Sequence, residues 1–360
     1  MGSRVRTARA TALVVALLAL PAATSAAADT TATAGFPGLH KRLIGQSTKL
    51  VAFTTEFKAN AERYNRLAAA TGYDYARLWS TQQAQLKPLL ARMKSDWLKH
   101  NSDYERMEGI VAGTPSLVQY DVDIDAGASF KEDPKGAVSF SLTAPNGTTF
   151  KQPGALYNIT EAALWGEDRS LVAKGVKPDL NGNGTPGEFG EVLPDAAFLV
   201  AAAREFDRQS HKLLASATAY KPNTTDALSA LVVMVPTMGE YFGDWKNSRF
   251  VIGARSTTTS FNVASRLNDI HDILGSLQVV YTDVRPAIAK VDPDQAAQTR
   301  KELDGLAAFI EKIYVRERGG HRFTPQDADL LGKQAQDRAV KVAGQVSQAA
   351  AKLGIKVEEG

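Results

Sequence analysis

The sequence predicts an almost all-α protein: two-lobed helical bundles with a small β-hairpin insertion and a Gly/Asn-rich loop. Three observations predict it. Apolar residues recur at three, four and seven positions over most of the chain, the spacing of a helix face packed on a core. Only one segment alternates apolar and polar residues, and it contains Asn146-Gly147, a strong hairpin turn. Cysteine is absent, so stability must come from buried apolar area rather than cross-links.

The first 28 residues have the form of a secretory signal. Arg4, Arg6 and Arg9 precede the apolar run "ATALVVALLALPAA", and "AAA" before Asp29 fits an A-x-A cleavage site. Three of the 42 basic residues lie there and none of the 39 acidic ones, which leaves a mature chain of 39 against 39 and a net charge near zero. No block of like charges remains, which argues against nucleic acid as a partner. The expected product is a secreted or periplasmic protein of roughly 330 residues that does not insert into the membrane after cleavage.

Helix is expected from Gly38 to about Arg106. Leu43, Leu50, Phe53, Phe57, Tyr64 and Leu67 make the first stripe, Thr71-Gly72 a stop, and Pro88 a kink or break in the second run. The hairpin follows in "AVSFSLTAPNGTTF". Then come the helical "ALYNITEAALWGED", the Gly-rich "KPDLNGNGTPGEFGEV", and a helix that Asp195 can cap and that carries Phe198, Leu199, Ala202 and Phe206 on one side. "YKPNTTD" is a linker candidate, which divides the mature chain into lobes over 29–220 and 221–360. In the second lobe Leu267, Ile270, Leu274, Leu277 and Tyr281 form one stripe, and Leu303, Leu306, Ile310 and Ile313 another. The last helix starts after "GGHRFTPQD", and Gly344 among its alanines is expected to allow close packing.

Common catalytic signatures are missing. There is no HExxH, G-x-S-x-G or Walker loop, and the five histidines are scattered. No catalytic residue is therefore assigned. The acidic residues are grouped more tightly. "YERMEG" sets Glu105 and Glu108 at i and i+3 on one helix face. "YDVDIDAG" follows, Glu161 lies on the helix after the hairpin, and Glu240 lies in "MGEYFGDW". Carboxylates converging in a cleft require a cation or protons to offset their repulsion; the plain alternative is that each is solvated.

The chain resembles the imelysin-like family, which includes extracytoplasmic iron-uptake proteins of the Efe type and proteins once classed as M75 peptidases. The resemblance rests on Trp97 followed by "YERMEG", on "NITEAALWGED", on "MGEYFGDWKNSRF" and on the order of the helical C-terminal half. It implies two helical lobes with a site between them, built from an ExxE pair, a following aspartate, an HxxE motif leading into an "LLWG"-like run, and a later glutamate. Carried over, these fall on Glu105 and Glu108, on Asp121 or Asp123, on Glu161, and on Glu240. The histidine position holds Asn158. An amide oxygen there leaves an all-oxygen set, which suits hard cations such as calcium, magnesium, manganese or ferric iron rather than softer divalent metals. Asn158 also begins an N-x-T sequon and could instead cap its helix. The function implied is metal or ligand binding linked to iron acquisition, with a membrane permease or a polysaccharide as partner. The rival implied by the same family is a metallopeptidase.

A second constellation is independent of the resemblance. "DLNGNGTPGE" begins as D-x-N-x-N-G, the first half of a calcium-binding loop. Asp179, Asn181 and Asn183 would offer side-chain oxygens and Thr185 its carbonyl. Position twelve is Gly190 rather than a glutamate, so Glu188 or Glu191 would have to replace it. The alternative is an ordinary Gly/Asn-rich turn. If the loop binds calcium and the cleft is degenerate, the protein would be a calcium-stabilised structural or adhesive module.

Overall fold

The computed structural model describes residues 35–357. The signal-like segment 1–28 lies outside the described residues. Helix α1 (Pro37–Ala70) starts with proline at its first position, where no N–H bond is lost. Leu39, Leu43, Leu50, Phe53, Phe57, Ala61, Tyr64 and Ala68 form its buried stripe. Gly72 takes φ 67° in the turn that follows. The Asp74 side chain then accepts the Arg77 N–H and opens α2 (Tyr75–Val111). The kink expected at Pro88 lies at Gln82, where φ is −125°, and the helix carries Pro88 within its continuing length.

A short α3 (Val118–Asp121) runs directly into a π-helical turn, Val122–Ala126. The hairpin is small: β1 (Leu142–Thr143) pairs antiparallel with β2 (Thr149–Phe150), with Gly147 at φ 84° in the turn. Val138, Phe140, Leu142 and Ala144 point inward as the alternation requires. Helix α4 (Leu156–Trp165) is almost wholly buried and ends at Gly166, which is left-handed at φ 76°. Valine 192 lies so close that a Cβ on Gly166 would meet its Cγ1 at 2.6 Å. A long loop leads to α5 (Ala196–Ala219), capped by Asp195 through the Phe198 N–H.

The second half comprises α6 (Thr224–Met234), α7 (Met238–Asn247), α8 (Arg249–Ile252), α9 (Arg266–Val291), α10 (Pro293–Arg318) and α11 (Pro325–Lys352). Thr324 and Asp327 form a capping box at the start of α11. The close packing expected at Gly344 is found instead at Gly332, where an added Cβ would meet Phe242 Cβ at 2.8 Å; Gly344 is exposed. The result is an all-α bundle protein with one small hairpin among the described residues.

Helices α1, α2 and α5 pack together, as do α9, α10 and α11 with α6 and α7. Helix α9 also lies along α2 and α1, so one apolar core runs through both groups. The α2–α9 contact positions the ExxE pair. At Gly109, beside Glu108, an added Cβ would meet Ser276 Oγ at 2.6 Å and Leu277 Cδ2 at 3.0 Å. Both neighbours are fully buried. Gly109→Ala is therefore expected to cost about 1–3 kcal/mol through overpacking. A urea-unfolding midpoint equal to that of the unmodified protein would show that α2 and α9 can separate without penalty.

Candidate functional site

One turn of α2 and the π-helical turn form the centre of the site. Glu105 and Glu108 face the same way from α2, and Asp125 comes from the π turn. All three are buried, and one carboxylate oxygen from each lies within 4.8 Å of the others. The π turn matters because its wider winding re-aims a side chain within a single turn. It places Asp125 at the cluster while Asp123, two residues earlier, faces elsewhere.

Neighbours from four other segments close around these carboxylates. The Asn101 side-chain amide donates to Asp269 Oδ1 at 3.1 Å and, at 3.5 Å, to Glu105 Oε1. The Tyr241 hydroxyl donates to Glu108 Oε1 at 2.5 Å, and the Tyr104 hydroxyl donates to Asp121 Oδ1 at 2.7 Å. Arg266, at the start of α9, is the buried cation. Its Nη1 donates to Asp269 Oδ2 at 2.9 Å, and its guanidinium lies 4.3 Å from the Tyr241 ring centre and 3.7 Å from that of Phe261. Stacking on two rings keeps a guanidinium charged away from water. Burial pulls its pKa down, but Asp269, Tyr241, Asp125 and Asp244 outweigh that and hold it raised.

Five buried carboxyls (Glu105, Glu108, Asp121, Asp125 and Asp269) thus share one buried guanidinium. Their proton affinities record the imbalance. Burial, then Asp269 and Glu108, hold Glu105 well above the ordinary carboxylate range. Burial, then Glu108 and Asp125, do the same to Asp121. Asp125 is pushed up to about 8 by burial and then by Glu108, with Arg266 opposing. Asp269 reaches about 6, because its bond to Arg266 offsets much of its burial. Without another cation, the site must hold protons.

Three acceptor oxygens here have no hydrogen-bond partner: Glu105 Oε2, Glu108 Oε2 and Asn158 Oδ1. Asn158 lies at the third position of α4, where it does not cap the helix; Ala155 is at the cap position. Its Nδ2 donates to the Asp125 carbonyl at 3.1 Å, which fixes the amide orientation and leaves Oδ1 as the free acceptor. Orphaned buried acceptors are costly, and oxygen atoms of this kind are what a hard cation requires. The residues present therefore fit such an ion.

The other residues to which the sequence points have different surroundings. Asp123 is used by the hairpin segment: it accepts from Ser139 N (2.7 Å) and Oγ (2.6 Å), and also from the Gln119 and Gln209 side chains. Glu161 is buried on α4 and accepts three consecutive backbone N–H groups, from Phe261, Asn262 and Val263, at 3.1, 2.9 and 3.2 Å. It pins the loop that sets Phe261, at φ 60°, on the face of Arg266. Burial and Glu167 still hold the Glu161 pKa above its ordinary value despite those donors. Glu240 is exposed on the first turn of α7, one turn before Asp244. Asp125, Asp269, Arg266, Tyr241 and Asn101 escaped the sequence reading as site residues. Asp125 is the last acid of "DVDID", and Asn101 stands one turn before Glu105; only the fold distinguishes them from their neighbours.

The Gly/Asn-rich loop forms a separate constellation. Asp179 accepts from the N–H groups of Gly182 (2.8 Å) and Gly184 (3.2 Å). Asn181 and Asn183 accept from the N–H groups of Asn183 and Thr185, each at 2.8 Å. Glu188 accepts from the Asn183 amide, and Glu191 from the Asn181 N–H, each at 2.9 Å.

No helix among the described residues is long and apolar enough to cross a membrane. No curated protein matches the chain. The family model described as Imelysin matches residues 4–353, nearly the whole chain, and the protein belongs to the imelysin family.

Proposed function

We propose that this protein is an exported binding protein whose acidic cluster takes up one hard cation, and that ferric iron acquisition is its setting. The observation that carries the reading is the meeting of the Glu105, Glu108 and Asp125 carboxylates, in which Glu105 Oε2 and Glu108 Oε2 are buried without partners, next to Asn158, whose amide holds the Asp125 carbonyl and whose Oδ1 is also unpartnered. Glu105, Glu108, Asp125 and Asn158 would hold the ion, which would supply the positive charge that five carboxyls and one guanidinium lack. Asp121 and Asp269 would act through their hydrogen bonds to Tyr104 and Arg266. Glu161 positions the covering loop. With asparagine in place of an imidazole, the donor set is all oxygen and favours hard ions over zinc or copper. Export rests on the signal-like segment 1–28, and a membrane permease is the partner to which such an ion would pass.

The test is metal analysis and titration calorimetry on chelator-stripped protein, using ferric citrate, manganese and calcium as probes. The unmodified protein should take one ion in the cluster. Glu105→Gln combined with Glu108→Gln should lower that affinity at least about a hundredfold, since affinity at oxygen sites follows the number of charged ligands. The same pair should leave the metal-free protein as stable or more stable, because it removes repulsion without removing volume. Unchanged binding in the double variant would sink the reading. For export, the mature N-terminus should fall near Asp29, and material retained with Met1 would count against it.

A further inference from the structure

We propose that the loop from Asp179 to Glu191 is a second cation site, specific for calcium, that fastens the α4–α5 connection independently of the acidic cluster. The spacing Asp179, Asn181, Asn183, Gly184 supplies three alternating side-chain oxygens and a glycine, at φ 82°, for the sharp turn. The decisive residue is Glu191. Its side chain is 4% exposed. Its Oε1 accepts the Asn181 N–H at 2.9 Å, which holds the carboxylate against the loop, and its Oε2 has no partner at all. A buried carboxylate oxygen with nothing to accept from is unfavourable unless a cation covers it.

The structure also explains why the acid stands one place later than in the usual twelve-residue loop. Gly190 occupies the twelfth place at φ 81°, and a Cβ there would meet Trp165 Cδ1 at 2.8 Å. The backbone is pressed onto that indole, so no side chain fits, and the carboxylate comes from the next residue. The nearby ammonium groups do not satisfy it. Lys94 donates to the Gly190 carbonyl, and Lys87 sits 5.7 Å from the centre of the Trp79 ring. A small oxygen-seeking cation that can accept a carboxylate, amide oxygens and a backbone carbonyl together is calcium; magnesium demands a stricter octahedron and keeps more of its water.

Thermal unfolding of the full chain with calcium chloride or with a chelator tests this, together with terbium luminescence excited through Trp165. At a hundredfold excess over Kd, calcium should shift the unfolding equilibrium about a hundredfold toward the folded state, and terbium bound in the loop should luminesce and be displaced by calcium. Asp179→Ala, a partly exposed change, and Glu191→Gln should each remove most of both signals. The Glu105→Gln/Glu108→Gln protein should keep them, so the two sites fail or stand separately. Equal melting temperatures with calcium and chelator would overturn the proposal. So would a calcium gain in the Glu105→Gln/Glu108→Gln protein that survives the further change Asp179→Ala.

Discussion

Arg266→Met should destabilise the protein by about 3–5 kcal/mol, the cost of breaking a buried ion pair by removing one partner. Methionine restores much of the volume and can lie between Tyr241 and Phe261, so lost packing contributes little. What is lost is charge. Asp269 forfeits the 2.9 Å donor on its Oδ2, and Asp125 loses the one group that opposes its elevated proton affinity. Urea unfolding of the metal-free protein measures the effect. Part of the loss should return when a hard divalent cation is added, because an ion in the cluster replaces some of the missing positive charge. A loss below about 1 kcal/mol, typical of an exposed pair, would mean that protons already neutralise the site and that Arg266 is not its counter-ion.

The metal-free protein should lose stability steadily as pH rises from about 4 to about 8. The sign follows from the direction of the shifts. Asp125, at about 8, keeps a proton in the folded state that the unfolded chain has already released near pH 4. Glu167, raised to about 7 by burial, and Asp269, at about 6, behave alike over narrower ranges. The folded form therefore binds more protons. Its advantage is complete below the unfolded carboxylate values and is gone once pH passes the folded ones. Each excess proton contributes a slope of about 1.4 kcal/mol per pH unit. A cation in the cluster competes with those protons, so saturating manganese or calcium should flatten the profile. Unfolding free energies between pH 5 and 8.5, with chelator and with metal, check both halves. A level profile in chelator would show that the cluster is not proton-loaded.

Cluster and loop are alike in one respect: each has a buried carboxylate oxygen that no protein donor satisfies. They differ in how they were legible. The loop's oxygens lie within thirteen residues, so spacing alone raised the question of calcium. What favours Glu191 over Glu188 is tertiary: Gly190 is pressed on Trp165, and the Glu191 carboxylate is buried. In the cluster, Glu105 and Glu108 could be paired from the sequence because three residues on a helix fix a shared face. Asp121 and Asp123 could not be ranked and Asp125 was passed over, since a regular strand or helix would have distributed these acids differently from the π turn that the chain adopts.

The sequence by itself determined the helices and the hairpin, because these depend on local spacing: the stripe of α1, Asp195 as a cap, Asn146-Gly147 as the turn. It also carried the family, through motifs spread along the chain, while the cap at Asp74 is seen only in the structure. Only the tertiary structure decided which acids meet. Asp269 stands 164 positions after Glu105, and Arg266 and Tyr241 are similarly remote, so their convergence depends on α9 packing along α2 and on α7 packing against α9. Burial is likewise a property of the whole assembly. The same glutamate pattern would be unremarkable in water, and it becomes a cation site only where packing has removed the solvent and left oxygens without donors.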